Sequence, residues 1–258
     1  MRKNSIKHMM LAGKPVLGVF QGFYSPDVTE MFGFTGFDFV IIDTEHGYMS
    51  PEACQSMIRA AECVGITPII RIPNNEREYV LRALDIGAMG VQVPMINSKA
   101  DAERAGRYSK YPPKGIRGLA MSTRASTYGL DLAGPTHIET SDAEALVIVQ
   151  IETQQGVDNL DEIVQAENVD VVFIGPTDLS QCIGFSCQPN HPTVQATIQK
   201  IIEKTVAAGK IAGIFANTVE ESKKCIEMGA RYIACGSTRL LGNPLRQYTE
   251  GFKKIAGR

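Results

Sequence analysis

The chain has 258 residues, of which 44% are hydrophobic and 21% are charged, and its formal net charge is -2 at pH 7. This length suits one α/β barrel with a large core, and the charge balance excludes the basic surface that nucleic acid or an anionic membrane needs, so we expect a small-molecule partner. The six cysteines form no Cys-x-x-Cys pair and no apolar run reaches the length of a membrane span, so we expect a cytoplasmic protein with reduced thiols.

Short apolar segments alternate with helical patterns along most of the chain. A first amphipathic helix ends near Gly13 and precedes the first strand. The predicted strands are Pro15–Phe20, Phe37–Ile42, Pro68–Ile72, Gly90–Pro94, Leu146–Glu152, Val171–Asp178, Ile211–Phe215 and Tyr232–Cys235. The predicted helices that follow them are Pro26–Phe32, Ser50–Cys63, Asn75–Ile86, Ser98–Ser109, Val157–Ala166, Pro192–Ala208, Val219–Met228 and Leu245–Ala256. Eight such units predict a (β/α)8 TIM barrel that forms one domain over residues 1–258.

The alternation is interrupted between Tyr111 and Asp142. This segment contains three prolines and four glycines, so we predict no packed element there. Long irregular segments in compact domains usually serve as lids, substrate loops or subunit contacts. The last helix, Leu245–Ala256, follows the eighth strand and is therefore free to pack outside the barrel.

Polar side chains collect where the predicted strands end. They are Asp43, Glu45 and His46 after the second strand, Arg71 after the third, Gln150 and Glu152 after the fifth, and Asp178 after the sixth. Carboxyl ends of parallel strands meet at one end of a barrel, where enzymes with this fold have their active sites. Acids outnumber bases in this set, which predicts a hard divalent cation such as Mg²⁺ or Mn²⁺. No lysine follows a predicted strand, which argues against a Schiff-base enzyme.

Simpler structural explanations remain open for several of these residues. Asp178 is also suited to cap a helix, and Glu152 is also suited to the first turn of a helix. Arg71 is also suited to a structural ion pair, with Asp85 or Glu45 as its partner. The sequence by itself does not choose between these explanations and a metal-dependent site.

The motifs at the strand ends resemble those of a known enzyme family. They are Phe37-Asp38-Phe39, Asp43-Thr44-Glu45-His46-Gly47, Arg71, Leu84-Asp85-Ile86-Gly87-Ala88, Val93-Pro94-Met95, Tyr111-Pro112-Pro113, Gly115-Ile116-Arg117-Gly118, Gln150-Ile151-Glu152-Thr153 and Phe173-Ile174-Gly175-Pro176-Thr177-Asp178-Leu179-Ser180. In this order they are similar to the HpcH/HpaI aldolases, which are metal-dependent class II pyruvate aldolases acting on 4-hydroxy-2-oxo acids. The similarity spans nearly the whole chain.

The resemblance implies a metal site and a keto-acid site. It implies that Glu152 and Asp178 ligate a divalent metal, which is Mg²⁺ or Mn²⁺, with Co²⁺ as a third option. It also implies that Arg71 and Gln150 face the bound keto acid. The motif that contains Asp178 further implies that Gly175, Pro176 and Thr177 contact the substrate.

The resemblance also implies a proton-transfer group. It implies that His46, paired with Asp43, moves protons and that Asp85 supports this step. Without that resemblance, His46 is equally suited to an ordinary hydrogen bond in a loop. His46 is nevertheless the natural candidate for a base, because histidine titrates close to neutral pH.

The resemblance implies a homohexamer, arranged as a trimer of dimers in which the C-terminal helix 245–256 is exchanged between subunits. The segment Gly236–Arg239 departs from the family, whose members usually have an aspartate shortly after the glycine of strand eight. This departure puts the usual aldehyde specificity in doubt. The segment Gly236–Thr238 is also suited to binding a phosphate or a carboxylate, as the last strands of many barrels do.

The predicted reaction is the retro-aldol cleavage of a 4-hydroxy-2-oxo acid to pyruvate and an aldehyde. A divalent cation acts as a Lewis acid in such a reaction, and a permanently charged arginine stabilises the enolate that forms. Two alternatives use the same residues. One is a decarboxylase or acyl-CoA lyase that forms the same enolate, and the other is a barrel that binds a keto acid without catalysis.

Overall fold

The computed structural model describes residues 2–131 and 134–257. Its centre is a closed barrel of eight parallel strands, in which each strand pairs with the next along the chain and the last pairs with the first. The strands are β1 (Val16–Gln21), β2 (Phe39–Asp43), β3 (Thr67–Arg71), β4 (Gly90–Val93), β5 (Leu146–Ile151), β6 (Val171–Ile174), β7 (Ile211–Phe215) and β8 (Tyr232–Gly236). This topology confirms the predicted (β/α)8 barrel.

Helices between the strands cover the outside of the barrel, one further helix precedes the first strand and one follows the last. They are α1 (Ser5–Leu11), α2 (Pro26–Phe34), α3 (Pro51–Cys63), α4 (Arg77–Asp85), α5 (Lys99–Ser109), α6 (Gly134–Glu144), α7 (Gln154–Asp158), α8 (Leu160–Ile163), α9 (Pro176–Cys182), α10 (Pro192–Ala207), α11 (Val219–Glu227) and α12 (Ser237–Ile255). Several begin after a serine or threonine that accepts a backbone N–H, as Ser50 accepts that of Ala53, and such caps can be read from sequence. None of the helices in the described ranges combines the length and the apolar character that a membrane crossing requires.

Apolar side chains fill the inside of the barrel. Side chains alternate across each strand, so one set points into the barrel and the other packs against the helices. Inside, Tyr232 stacks on Phe39 at a centroid distance of 4.3 Å and meets Phe173 edge-on. Ile6 and Met10 of α1 join the same cluster. Each fully buried side chain of this size contributes about 1.5–3 kcal/mol to the stability of the fold, so the barrel interior is a hydrophobic core. The cavity lies above this core, where the strands end.

The segment from Tyr111 to Asp142 is more ordered than its prolines and glycines predicted. It contains a 3-10 helix, Arg124–Gly129, and most of α6, while residues 132 and 133 lie outside the described residues. The Tyr111 hydroxyl lies 3.2 Å from Nε2 of His137, and the Tyr111 backbone N–H donates to Oδ1 of Asp142 over 2.9 Å. The prediction of no packed element was wrong because these tertiary contacts offset weak local propensity.

Two further helices begin earlier than predicted. The helix predicted as Leu245–Ala256 is α12, which starts directly after β8 and continues through Pro244. A proline inside a helix removes one intrahelical hydrogen bond and can be tolerated when the turns on both sides hold. The helix predicted as Val157–Ala166 is the pair α7 and α8, because Thr153 caps the earlier start by accepting the Gly156 N–H over 3.0 Å.

Candidate active site

A cavity of about 470 Å³ opens at the carboxyl ends of the strands. Its wall consists of Phe20, Gly22, Phe23, Asp43, His46, Arg71, Gln150, Glu152, Phe173, Gly175, Pro176, Thr177, Asp178, Phe215, Gly236, Ser237 and Thr238. Of the residues predicted for the site, Asp85 does not line this cavity, and neither does Glu45, which the sequence placed with them at the strand ends. The barrel therefore brings the proposed functional residues together from distant parts of the chain, from Asp43 to Asp178.

Arg71 is held by acidic side chains that follow the neighbouring strand. Asp43 and Arg71 occupy paired positions at the ends of β2 and β3, so Arg71 Nε lies 2.9 Å from Asp43 Oδ1 and Nη2 lies 2.6 Å from Oδ2. Its Nη1 lies 3.0 Å from Oε2 of Glu45, and its guanidinium carbon lies 4.9 Å from the centre of the Phe20 ring. Of the two partners left open by the sequence, Arg71 therefore has Glu45 and not Asp85. A bidentate pair of this kind fixes the plane of the guanidinium.

Glu152 and Asp178 border one small space beside Gly175. Glu152 is 3% exposed; its Oε1 accepts the Met95 N–H over 2.7 Å and its Oε2 accepts the Gln150 amide over 2.8 Å. A Cβ added at Gly175 would lie 3.0 Å from Glu152 Oε2 and 3.6 Å from Asp178 Oδ2. Burial raises the pKa of Glu152, and the charge of Asp178 adds to that rise. A cation in this space would offset both causes.

These two carboxylates fit a hard divalent cation that keeps water or substrate ligands. Within residues 2–131 and 134–257, no group of three His, Cys, Asp or Glu side chains forms a complete protein cage for a metal. Mg²⁺ is commonly bound through one or two carboxylates and completes its shell with water and substrate oxygens. The pair Glu152 and Asp178 meets that requirement, whereas it would leave a structural zinc ion short of ligands.

Glu152 directly follows β5 as predicted, whereas Asp178 reaches the cavity from a different local structure. Strand β6 ends at Ile174, and Asp178 is the third residue of α9 rather than the end of a strand. Gly175 occupies the N-cap position of α9, so the alternative that Asp178 caps this helix is wrong. Glu152 precedes Thr153, the N-cap of α7, so the alternative that Glu152 lies in the first helical turn is also wrong.

His46 lies on the exposed turn after β2 and borders the cavity. Oδ1 of Asp43 accepts the backbone N–H groups of Glu45 and His46 over 3.1 and 3.3 Å, while Arg71 engages both carboxylate oxygens. Among the described contacts, Asp43 therefore holds the backbone of His46 and not its imidazole. Asp43 does not pair with the His46 imidazole, because the Arg71 guanidinium donates to both oxygens of the Asp43 carboxylate.

Asp85 lies apart from the other predicted site residues. It is the last residue of α4, and its Oδ1 accepts Nη2 of Arg117 over 2.7 Å. The Arg117 side chain is fully buried and lies 4.7 Å from the centre of the Tyr111 ring. Within one chain Asp85 thus has a structural partner and does not line the cavity, and its supporting role in proton transfer stays a prediction.

Two buried residues that the sequence analysis missed, Gln92 and Tyr232, continue the hydrogen bonds of the site into the barrel. Gln92 on β4 is fully buried; its Nε2 donates to Oε1 of Gln150, and its own Oε1 lies 3.3 Å from the Tyr232 hydroxyl. Gln150 donates in turn to Glu152. The signal that could have found Gln92 is its place within an apolar strand, since a buried amide needs hydrogen-bond partners.

The segment Gly236–Thr238 forms the part of the wall where α12 begins. Ser237 is buried, and its Oγ has no hydrogen-bond partner among the described residues. The aspartate expected near this position in the family is absent, so this part of the wall carries no acid. The predicted phosphate or carboxylate contact at this segment stays a prediction.

The chain is similar over most of its length to proteins of one family. A sequence profile described as HpcH/HpaI aldolase/citrate lyase matches residues 17–243. A protein from Salmonella paratyphi C (strain RKS4594), named 5-keto-4-deoxy-D-glucarate aldolase, is 36% identical over 234 residues, which cover 91% of this chain and 90% of that protein. The crystal structure of an HpcH/HpaI aldolase/citrate lyase family protein from Burkholderia cenocepacia J2315 is 30% identical, with a TM-score of 0.91 over 97% of this chain and 100% of that one.

A second solved structure, named citrate synthase SbnG, is also 30% identical, with a TM-score of 0.86 over 97% of this chain and 98% of that one. These comparisons confirm the resemblance found in the motifs and the prediction that the chain is an aldolase-type enzyme. The chain belongs to the HpcH/HpaI aldolase/citrate lyase family.

Proposed function

We propose that this protein is a divalent-metal-dependent lyase that cleaves a 4-hydroxy-2-oxo acid to pyruvate and an aldehyde by a retro-aldol reaction. The observation that carries the proposal is the pair of carboxylates, Glu152 and Asp178, that border one space in the same cavity as Arg71. The relative named 5-keto-4-deoxy-D-glucarate aldolase supports a keto acid as the substrate.

Glu152 and Asp178 are the proposed metal ligands, and their oxygen donors suit Mg²⁺ or Mn²⁺, with Co²⁺ as a third option. When bound, such a cation supplies Lewis-acid polarisation of a keto oxygen. The chain itself keeps Glu152 in place, because a separate donor engages each of its oxygens. We propose that Gln150 and the segment Gly175-Pro176-Thr177, which line the same wall, bind the keto acid.

Arg71 is proposed to stabilise the negative charge that develops on the keto acid. Breaking the bond between C3 and C4 leaves the electron pair on pyruvate as an enolate, whose oxygen gains charge. A guanidinium has five N–H donors, and Asp43 accepts two of those of Arg71, which leaves others for that oxygen. This interaction strengthens as charge appears, so it lowers the barrier rather than only binding substrate.

His46 is the proposed base for the C4 hydroxyl proton. It borders the cavity on an exposed turn, from which its imidazole can exchange the proton with water. Asp43 contributes indirectly, because its carboxylate shapes the turn that carries His46 and also orients Arg71. We also propose a supporting role for Asp85, although its side chain does not line the cavity of a single chain.

Release of pyruvate tests the proposal. We expect the purified protein with Mg²⁺ or Mn²⁺ to release pyruvate from 4-hydroxy-2-oxo acids, as followed by NADH oxidation with lactate dehydrogenase. EDTA should stop the release and borohydride should not, because the described cavity wall contains no lysine for a Schiff base. Glu152→Gln and Asp178→Asn should each lower the rate at least about 100-fold, a loss of about 2.7 kcal/mol.

The control variant is Glu162→Gln, which makes the same acid-to-amide change at an exposed position of α8 and should keep the wild-type rate. Inactivation by borohydride, or undiminished pyruvate release by either ligand variant, would contradict the proposal.

A second candidate reaction uses the same enolate chemistry with an acyl-CoA. The family description includes citrate lyase, and one 30% identical structure is named citrate synthase. A substrate panel separates the two candidates: cleavage of 4-hydroxy-2-oxo acids yields pyruvate and an aldehyde, whereas cleavage of a 3-hydroxyacyl-CoA yields a shorter acyl-CoA with its thioester intact, which chromatography detects. Decarboxylation of oxaloacetate would appear in the same panel as pyruvate and CO₂ without an aldehyde.

We also propose that the protein is a homo-oligomer, with a hexamer as the expected state. Supporting this, α12 exposes apolar side chains at Leu241, Leu245, Tyr248 and Ile255, which lie on one stripe of the helix at spacings of four, three and seven residues. Exposed apolar stripes of this kind usually mark protein contacts. Light scattering of the purified protein would show a monomer if the proposal is wrong.

A further inference from the structure

A line of three buried side chains connects the barrel interior to Glu152. The Tyr232 hydroxyl donates to Oε1 of Gln92 over 3.3 Å, Gln92 Nε2 donates to Oε1 of Gln150, and Gln150 Nε2 donates to Oε2 of Glu152 over 2.8 Å. Gln92, Gln150 and Tyr232 are each at most 1% exposed. We call these three residues the buried relay.

The donor direction of the buried relay is set at both ends. Oε2 of Glu152 accepts from Gln150, so Gln150 turns its NH₂ group towards Glu152. The carbonyl of Gln150 then faces Gln92, which must present its own NH₂ group and turn its carbonyl towards Tyr232. Burial raises the pKa of Tyr232 well above its usual value, so the hydroxyl keeps the proton that it donates. Both amides are therefore restricted to one orientation.

We propose that Gln92 and Tyr232 are positioning residues of the metal site, acting through Gln150 to fix the carboxylate of Glu152; this inference rests on the proposed function. Glu152 Oε2 accepts from Gln150 and Oε1 accepts from Met95, so each oxygen has one protein donor and retains a lone pair for a cation. Mg²⁺ requires near-ideal octahedral geometry at about 2.0–2.1 Å, so a carboxylate that can rotate binds it poorly. Partners behind a metal ligand typically change metal affinity about 10–100-fold.

The same arrangement limits what Gln150 can offer to a substrate. One lone pair of its Oε1 is occupied by Gln92 and one of its two amide hydrogens is occupied by Glu152. One N–H and one lone pair of Oε1 remain for a keto acid, and the relay sets the direction of both. The buried relay thus fixes the orientation of a proposed substrate contact as well as that of a proposed metal ligand.

A merely structural role for Gln92 is the competing explanation, and Gln21 shows what such a role looks like. Gln21 on β1 is also a fully buried glutamine, but the hydrogen bonds of its side-chain amide reach only α2 and the loop before it. It donates to the carbonyls of Phe23 and Ser25 and accepts from the Thr29 hydroxyl. Gln21 does not line the cavity. It therefore provides a control that is matched in residue type, strand location and burial.

Titration with Mn²⁺ alone, followed by calorimetry, tests the inference on the full-length protein. We expect Gln92→Met to weaken Mn²⁺ binding about 10–100-fold. Gln21→Met should lose comparable stability in denaturant unfolding but keep its Mn²⁺ dissociation constant within about twofold. With saturating Mn²⁺, Gln92→Met should recover most of the wild-type kcat. An unchanged Mn²⁺ affinity of Gln92→Met, or an equal loss in Gln21→Met, would overturn the inference.

Tyr232→Phe is the second variant, because it removes only a hydroxyl and keeps the aromatic packing. We expect a smaller loss of Mn²⁺ affinity, about threefold for one neutral hydrogen bond, and no added loss in the double variant with Gln92→Met because the relay acts as one unit. Glu152→Gln distinguishes a failure of the proposed metal-dependent function from a failure of the proposed role of the buried relay. If wild type and Glu152→Gln bind Mn²⁺ equally, the proposed function fails and the relay falls with it. If only wild type binds, the function stands and the relay is decided by Gln92→Met and Tyr232→Phe.

Discussion

The substitution Gly175→Ala probes the space between the two proposed metal ligands directly. The backbone at Gly175 has φ of -97°, which alanine adopts without strain, so the change adds a methyl group and little else. That methyl would lie 3.0 Å from Glu152 Oε2 and 3.6 Å from Asp178 Oδ2. Glu152 cannot move freely, because Gln150 and Met95 each donate to one of its oxygens. We therefore expect the two carboxylates to lose their joint geometry.

The magnitude follows from the tolerance of the metal. Ligand distances in divalent metal sites hold to about 0.2 Å, and the methyl contact requires Glu152 Oε2 to shift by a few tenths of an ångström or more. We expect Mn²⁺ to bind at least about 10-fold more weakly, a loss of about 1.4 kcal/mol. The metal-free protein should keep its midpoint of thermal unfolding within a few degrees.

Calorimetric titration with Mn²⁺ measures this effect, and Gly251→Ala is the matched control. Gly251 lies in α12 with no heavy atom within 4 Å of an added Cβ, so its substitution should leave Mn²⁺ binding unchanged. If Gly175→Ala binds Mn²⁺ as tightly as wild type, the cation does not sit between Glu152 and Asp178, and the reasoning is refuted.

Three further predictions concern neighbouring parts of the structure. Arg71→Lys should lower kcat about 100-fold in steady-state assays, because lysine cannot reproduce the bidentate pair with Asp43; an unchanged kcat would count against the role of Arg71. Burial lowers the pKa of His137 to about 4, so the unfolded chain takes up a proton below pH 6.5 while the folded chain does not. Stability should fall by up to about 3 kcal/mol between pH 6.5 and 4, and urea unfolding should show a smaller fall in His137→Phe. Asp85→Asn should destabilise the fold by about 3 kcal/mol in thermal unfolding, because Arg117 loses its charged partner, and Mn²⁺ affinity should not change.

The architecture could be predicted from the amino-acid sequence, and so could most of the polar residues that line the cavity. Short apolar segments that alternate with capped helices allow few arrangements other than a parallel barrel, and the polar residues that end those segments must then meet at one end. For this reason Asp43, Arg71, Gln150 and Glu152 could be assigned to one cavity before any distance was known. The motif around Asp178 added the second proposed ligand.

The hydrogen-bond and ion-pair partners of these side chains could not be predicted from the sequence, because they depend on tertiary contacts. In the structure, Asp178 lies in a helix, and Arg71 forms ion pairs with Asp43 and Glu45. Asp85 pairs with Arg117 outside the cavity, and Gln92 lies behind the site, where it donates to Gln150. These outcomes depend on pairs of residues that lie far apart in the chain and meet through strand register, as the pairing of Asp43 with Arg71 does. Local propensity carries no information about such pairs. Most buried polar groups need a hydrogen-bond partner, and only the complete barrel determines which partners are within reach.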